Sequence, residues 1–255
     1  MSIRLLTYNV RYAALDGGDD AWADRRDGVA SVLRFHDPDV VCLQEVWEDQ
    51  LSDLKGRLPA YAWVHADTSS GEHTPIGYRT DRFAVTDSDA FSLSETPADL
   101  HAMDWKTTVP RLTTTARLAG VDGDAEVLIA NAHLDHDSEP ARRRGAELLA
   151  DRLGDRAVAT VLAADLNSGP ADPPYRTLTG DGGFRAARSL ADHPHGPRTT
   201  FNDFEAPQPG ERLDYVLVDG AAVGVDRFGV LPDLDDRCRY PSDHFPVSAD
   251  LTLRD

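Results

Sequence analysis

The stretch YPSDHFPVSADL, residues 240–251, decides how the chain is read. Phe245, Val247, Ala249 and Leu251 alternate with Pro246, Ser248 and Asp250. Period-two alternation predicts a strand with one face in the core. Asp243 and His244 stand just before that strand, in a Pro-Ser turn. An acid and an imidazole at the mouth of a core strand serve either as a cap or as part of a catalytic site.

The other strand-like runs show the same habit. They recur at residues 3–10, 39–46, 75–80, 113–119, 125–134, 158–166, 213–218 and 245–253. VVCLQEV, EVLIANAHL and AVATVLAADL are apolar almost throughout, as strands covered on both faces are. Helical spacing is expected over residues 24–36, and over 138–153 with Ser138 as N-cap and Pro140 in the first turn. Helices separate only some of the strands, which argues against a strict βαβ array and for helices packed outside stacked sheets. Residues 1–255 are expected to form one domain.

At the ends of these runs stand Asn9, Glu45, His133, Asp165 with Asn167, Asp214, and the Asp243-His244 pair. Any one of them alone is better explained as a cap or turn former. Six separate strands, each ending in a carboxylate, amide or imidazole, point to a shared site. Oxygen donors with few thiols suit a hard cation such as Mg²⁺. Glu45 is then the best ligand, with Asn9 beside it. Asp165 suits the orientation or deprotonation of a water. Asn167, His133 and His244 suit donation to a phosphoryl group gaining charge, and Asp214 the holding of His244 in one tautomer. Metal, oriented water and donors together make a phosphoester-hydrolase site.

In order, LLTYNVR, VVCLQEVWEDQL, NAHLDH, LAADLNSGP, RLDYVLV and YPSDHFPV resemble the motif series of the endonuclease/exonuclease/phosphatase superfamily. The resemblance runs from about residue 3 to residue 253. It implies a four-layer α/β/β/α sandwich, with two mixed β-sheets face to face and helices outside. It implies that Glu45, Asn9 and Asp243 lie on the metal side and that Mg²⁺, or Mn²⁺, is the cofactor. It implies that His133 and His244 contact phosphate, that Asp165 activates water, that Asn167 stabilises the phosphoryl group and that Asp214 pairs with His244. Trp22 with Arg25 and Arg26, PIGYRTDRF, FSLSETP, MDWKTTVPRL and TTFNDF resemble a prokaryotic branch of that superfamily. Ala164 stands where many relatives have Gly. Arg79, Arg82, Trp105 and Arg111 are expected on the substrate side. Glu72 and His136 are better read as packing or surface residues.

Charge bounds the partners. The chain has 44 acidic and 26 basic residues, a net charge of −18, with 35 Asp, 24 Arg and 2 Lys. Such a surface repels itself in dilute buffer and suits concentrated salt, the pattern of a halophile protein. It opposes broad binding to nucleic acid. The expected partner is therefore a phosphoester, with a small soluble one slightly favoured over DNA or RNA. A salt-tolerant nuclease and a catalytically silent metal-binding protein are the alternatives. No apolar run is long enough to span a bilayer, and no signal peptide is expected at MSIRLLTYNVRY. Two cysteines, Cys42 and Cys238, are expected as free thiols in a cytoplasmic setting. The Arg142-Arg143-Arg144 run is expected to form surface ion pairs with neighbouring glutamates. His36, His65, His73, His193 and His195 are expected at the surface.

Overall fold

In the computed structural model, twelve strands among the described residues form two six-stranded sheets. The structure describes residues 1–66, 72–123, 125–154, 157–210 and 212–254. The first sheet holds β1 (Ser2–Asn9), β2 (Val40–Gln44), β3 (Tyr61–Val64), β4 (Ile76–Arg79), β11 (Val223–Val230) and β12 (Val247–Leu253), in the order β11-β12-β1-β2-β4-β3. The second holds β5 (Phe83–Ser92), β6 (Leu112–Gly120), β7 (Glu126–His133), β8 (Ala159–Asp165), β9 (Phe184–Ala186) and β10 (Asp214–Asp219), in the order β5-β6-β7-β8-β10-β9. Each contains one parallel pair, β1 with β2 and β7 with β8, among antiparallel ones.

The helices α1 (Trp22–His36) and α2 (Glu48–Arg57) cover the outside of the first sheet. On the second lie α3 (Glu139–Leu153) and α4 (Pro173–Thr179), and the short α5 (Ala187–Leu190) follows β9. The arrangement is a four-layer α/β/β/α sandwich. Ser138 caps α3, its hydroxyl accepting from the Ala141 N–H at 3.3 Å. Arg143 and Arg144 pair with Glu147, while Arg142 instead donates to the carbonyls of Asp135 and His136.

Period-two alternation explains both the core and the site. Inward-facing Ile3, Leu5, Val40, Cys42, Val127, Ile129, Val161, Ala163, Val216 and Val218 form the layer between the sheets. The alternate residues Leu6, Tyr8, Val41 and Leu43 pack under α1 and α2, and Ala130, Ala132, Leu162, Ala164, Tyr215 and Leu217 under α3 and α4. Ala164 therefore faces the helix layer, away from the inner row that ends in Asp165.

Followed two residues at a time, each inner row turns polar at the same end. β1 runs Ile3, Leu5, Thr7, Asn9; β2 runs Val40, Cys42, Gln44; β7 runs Val127, Ile129, Asn131, His133; β8 runs Val161, Ala163, Asp165. Thr7, Gln44 and Asn131 are fully buried. The Gln44 amide donates to Thr7 Oγ1 at 2.9 Å and to Asn131 Oδ1 at 2.7 Å. The Asn131 amide donates to the carbonyls of Leu43 and Pro75. A neutral hydrogen-bonded layer thus separates the apolar core from the charged residues above it.

Eight of the strands fall on the runs expected from sequence. The other four, β3, β5, β9 and β11, are the four sheet edges. Edge strands are half covered, so their pattern is diluted by polar residues: β5 buries three of the ten residues of FAVTDSDAFS. Bulges at Val85/Asp87 and Val225/Arg227 break the alternation further. Of the histidines expected at the surface, His73 is buried: its backbone bridges to Val46, and its ring lies 6.0 Å from that of His65.

Candidate active site

Strand register brings the polar ends together. His133 pairs with Asp165 across β7 and β8, and Asp165 with Asp214 across β8 and β10, so three inner residues stand in a row. Asn9 and the end of β2 face them from the other sheet. Glu45, Asn167 and Arg11 follow their strands in the left-handed backbone region, with φ of 58°, 45° and 59°. None is glycine, so each turn is held against a conformational cost. The turns aim the side chains over the sheet ends into a cleft of about 430 Å³.

Asp165 is the centre of the site. It is 1% exposed. Its Oδ1 accepts from the Asn167 N–H at 2.9 Å and its Oδ2 from the Asn9 amide at 3.0 Å. Nε2 of His133 lies 3.6 Å from Asp165 Oδ2, and Nδ1 of His244 lies 3.9 Å from it. The Asn9 amide also donates to Glu45 Oε1 at 2.9 Å, so one side chain spans both carboxylates and both sheets. Glu45 Oε2 accepts from the Tyr12 N–H.

His244 is held by Asp214, Nδ1 to Oδ2 at 2.8 Å, with both side chains buried. Thr200 Oγ1 accepts from the N–H groups of Leu213 and Asp214 and fixes that strand end. Burial alone would depress His244, but the carboxylates of Asp214, Asp165 and Asp243 outweigh it and hold its pKa well above the ordinary histidine value.

His133 is held on its other ring nitrogen by the Glu72 carboxylate, with Arg111 at 3.3 Å. Here too burial opposes protonation, and Glu72 and Asp165 reverse it against the Arg111 charge. Arg111 is 4% exposed and donates to Glu72, Asp135 and His136. The Asn167 amide nitrogen lies 3.0 Å from His133 Nε2, which brings it to the same point of the cleft.

Among the expected site residues, the structure gathers Asn9, Glu45, His133, Asp165, Asn167, Asp214, Asp243, His244 and Arg111. It does not gather Arg79 or Trp105. Arg79 lies at the far end of β4, antiparallel to β2, and its guanidinium pairs with Asp37 and Asp81. Arg82 is at that end too, on Asp39. A hollow of about 490 Å³ there is lined by Arg4, Asp39, Arg82 and Asp250, whose charges already pair with one another. The Trp105 indole donates to Glu95, its carbonyl accepts from Ser138, and it does not line the cleft.

Several residues were not legible as site members. Glu72 and His136, expected as packing or surface residues, line the cleft. Arg11 lies 3.1 Å from Asp243 and also pairs with Asp16. Arg25 is 1% exposed, and its guanidinium donates to the carbonyls of Val10, Arg11, Asp20 and Pro241. It thereby ties the turn carrying Arg11 to the turn carrying Asp243. Gln44 and Asn131 could have been found by stepping the strand alternation back one position. The loop residues have no period that would expose them, and positions 67–71 of the loop before Glu72 lie outside the described residues.

The donor set fits a hard divalent cation. Glu45 and Asp243 face the cleft with oxygen donors, and no cysteine lines it. Asp243 is pushed up by its burial and by the Glu45 charge, a repulsion that a cation between them would relieve. Asn9 turns its N–H groups to the carboxylates and its Oδ1 to the Arg11 N–H. In this arrangement it spaces the ligands and offers them no oxygen. Asp165, Asp214 and His244 form a second buried trio with ligand atoms within 4.8 Å. A cation there would compete with the Asp214–His244 hydrogen bond.

Similarity to known proteins agrees with this arrangement. Residues 6–244 match the Endonuclease/Exonuclease/phosphatase family, and the chain belongs to it. Its members hydrolyse phosphoester bonds and use divalent metals. An endonuclease/exonuclease/phosphatase family protein from Bacteroides thetaiotaomicron is 30% identical, with a TM-score of 0.92 over 100% of this chain and 98% of that one. The mannosyl-6-phosphatase of Bacteroides thetaiotaomicron VPI-5482 is 30% identical, with a TM-score of 0.90 over 98% and 99%. D. rerio TDP2 complexed with a single-strand DNA product shares the fold at 19% identity, with a TM-score of 0.75 over 98% and 99%. No curated protein shows significant sequence similarity to the chain. No helix among the described residues is long and apolar enough to cross a membrane.

Proposed function

We propose that the protein is a Mg²⁺-dependent hydrolase of a small, soluble phosphomonoester. One observation carries this reading: His133, Asn167 and His244 surround the buried Asp165 carboxylate beside one cleft, which Asn167 and His244 line. Glu45 and Asp243 would hold the cation, Mg²⁺ or Mn²⁺, which would supply positive charge to a phosphoryl oxygen. Asp165 orients a water and takes its proton. The protonated His244, fixed by Asp214, donates to the phosphoryl group from one side. His133, fixed by Glu72, and the Asn167 amide donate from the other. Fixed donors of this kind favour the more highly charged transition state over the substrate.

A small substrate is supported by the charge of the cleft. Its two arginines, Arg11 and Arg111, are already neutralised by Asp16, Asp243, Glu72 and Asp135. Within the cleft itself little basic surface is left for a long polyanion. The 30% identity to a mannosyl-6-phosphatase favours the same side. A salt-tolerant nuclease is the second reading, because the superfamily includes nucleases. A cytoplasmic, salt-adapted setting is proposed on the net charge of −18 and the free Cys42 and Cys238.

The test is hydrolysis with Mg²⁺ at molar KCl by wild type and His244→Ala. Sugar, nucleotide and inositol phosphates are offered beside plasmid DNA and a short RNA. Release of phosphate from a small ester, lost in the variant, is the expected result. Cleavage of DNA or RNA alone would replace it with the nuclease reading. No turnover, with Mg²⁺ still raising the melting temperature, would leave a binding protein.

A further inference from the structure

Beside the cleft lies a second hollow, of about 410 Å³, lined by Pro170, Arg188, Arg198, Gly210 and Arg212. Three short segments form the wall between the two. Asn167 lines the cleft and Pro170 the hollow; Phe201 lines the cleft and Arg198 the hollow; Leu213 lines the cleft and Arg212 the hollow.

Its charge is the reverse of the chain's. In a protein of net charge −18, three arginines line this hollow, and among the described residues that line it none is acidic. Many arginines elsewhere meet carboxylates, as Arg4 meets Asp250 and Arg57 meets Asp27. Among the described residues, Arg188, Arg198 and Arg212 make no ion pair and their side chains donate no hydrogen bond. Arg212 is only 9% exposed. The Nη1 of Arg188 is buried without a partner.

Aromatic rings hold two of the guanidinium planes. Arg212 lies 5.2 Å from the Tyr215 ring centroid and Arg188 5.9 Å from that of Phe228. Stacking fixes a guanidinium but leaves its N–H edges unsatisfied. Burial pulls the Arg212 pKa down, and the neighbouring charges of Arg188 and Arg198 add to it. A buried cation with no counter-charge is costly. A planar or tetrahedral oxyanion accepting from all three forks removes that cost.

We propose that Arg188, Arg198 and Arg212 form an oxyanion site of the phosphate class, separate from the catalytic cleft, that takes a second phosphoryl group of the substrate. Only the link to the substrate rests on the phosphoesterase reading. Free phosphate has the same chemistry, and the experiment separates the two sources.

The test is calorimetric titration with inorganic phosphate at low salt. Wild type, Arg198→Ala, Arg212→Gln and His244→Ala are compared. Arg198 is exposed, so its truncation is expected to leave the melting temperature unchanged. Wild type and His244→Ala are expected to bind phosphate at this site. Both arginine variants are expected to bind it about tenfold more weakly or worse, the loss that goes with hydrogen bonds to a charged group. No phosphate binding by wild type, or equal binding by Arg198→Ala and Arg212→Gln, overturns the site. Binding abolished by His244→Ala alone places the phosphate in the cleft and overturns it too.

The kinetic arm uses a sugar bisphosphate and its monophosphate. Arg198→Ala is expected to raise KM for the bisphosphate about tenfold, with kcat and monophosphate hydrolysis unchanged. Unchanged KM for both, with phosphate binding lost, keeps the site and assigns it to free phosphate. If wild type hydrolyses nothing, the phosphoesterase reading fails, and the calorimetry still decides the site.

Discussion

Nδ1 of His244 lies 2.8 Å from Oδ2 of Asp214, and neither side chain is open to solvent. The pair makes a dependence that can be tested from either end. Asp214→Asn removes the first charge that favours the imidazolium. The His244 titration midpoint, followed by NMR in metal-free protein, is expected to fall toward the ordinary value near 6.5. Because the folded-state pKa is raised, the pair's stabilisation is complete below the unfolded value and is lost as pH rises through the folded one. Wild type is therefore expected to lose stability on the alkaline side, and Asp214→Asn to lose less. An unmoved midpoint would dissociate Asp214 from His244.

Turnover is expected to fall about 10²- to 10⁴-fold in His244→Ala and Asp165→Asn, the range for removing a proton-transfer group. His244→Ala leaves the buried Asp214 carboxylate without its partner, so its melting temperature should fall, and the rate loss is read on protein shown to be folded. Glu72→Gln keeps the size of the group that orients His133. It is expected to lower kcat about tenfold, as loss of an orienting partner does. A Glu72→Gln enzyme with full activity would remove Glu72 from the site.

Arg111 is enclosed by Glu72, Asp135 and His136. Arg111→Met removes the cation from buried Asp135 and half-buried Glu72, and the expected cost is about 3–5 kcal/mol in urea unfolding. Asp135 gives the acid limb of the same cluster. Burial opposes its charge, and the Ser138 N–H, Arg111 and the Asp137 N–H overcome it, holding the carboxyl below its usual value. Its contribution is present above the unfolded pKa and lost as pH falls through the folded one. The stability gap between wild type and Asp135→Asn should thus close on acidification.

Arg25 touches none of the proposed reacting groups, yet its four carbonyl partners set two site turns. Its guanidinium lies between Trp22 and Phe204, 5.5 and 5.2 Å from their rings. Hydrogen bonds to a charged group contribute about 1.5–3 kcal/mol each. Arg25→Ala is expected to lose at least about 3 kcal/mol of stability. Where it stays folded, kcat should fall with it, because Arg11 and Asp243 lose their common anchor. Full activity in a folded Arg25→Ala protein would contradict this.

The salt adaptation is tested on wild type alone. With a net charge of −18, self-repulsion should fall as ions screen it. The melting temperature is expected to rise from dilute buffer to molar KCl. A flat or falling dependence would end the salt-adapted reading.

What could be read from sequence follows burial. β1, β2, β7 and β8 are covered on both faces, so their apolar runs stand out, and the polar residue closing each run stands out against them. Register then places His133, Asp165 and Asp214 side by side. Arg79 was misread because strand direction is not visible in the chain: β4 runs antiparallel to β2 and carries its arginine away from Glu45. Trp105, Glu72 and Arg11 lie in loops, where contacts depend on the fold and no local pattern reveals them. The arginines of the second hollow are scattered from residue 188 to residue 212 and form a group only in three dimensions.

The Asn9 amide, shared by a carboxylate of each sheet, also bears on how the protein is made. Neither sheet alone contains the pair it joins. β1 must meet β12, with Ser2 beside Thr252, before the first sheet is complete. Pairing so distant in sequence is slow to form. During refolding, backbone signals should therefore recover before enzymatic activity, which returns only when the halves dock. Activity regain would then time the last assembly step, and the Asn9 amide, holding Glu45 to Asp165, would act as a clasp that slows their parting.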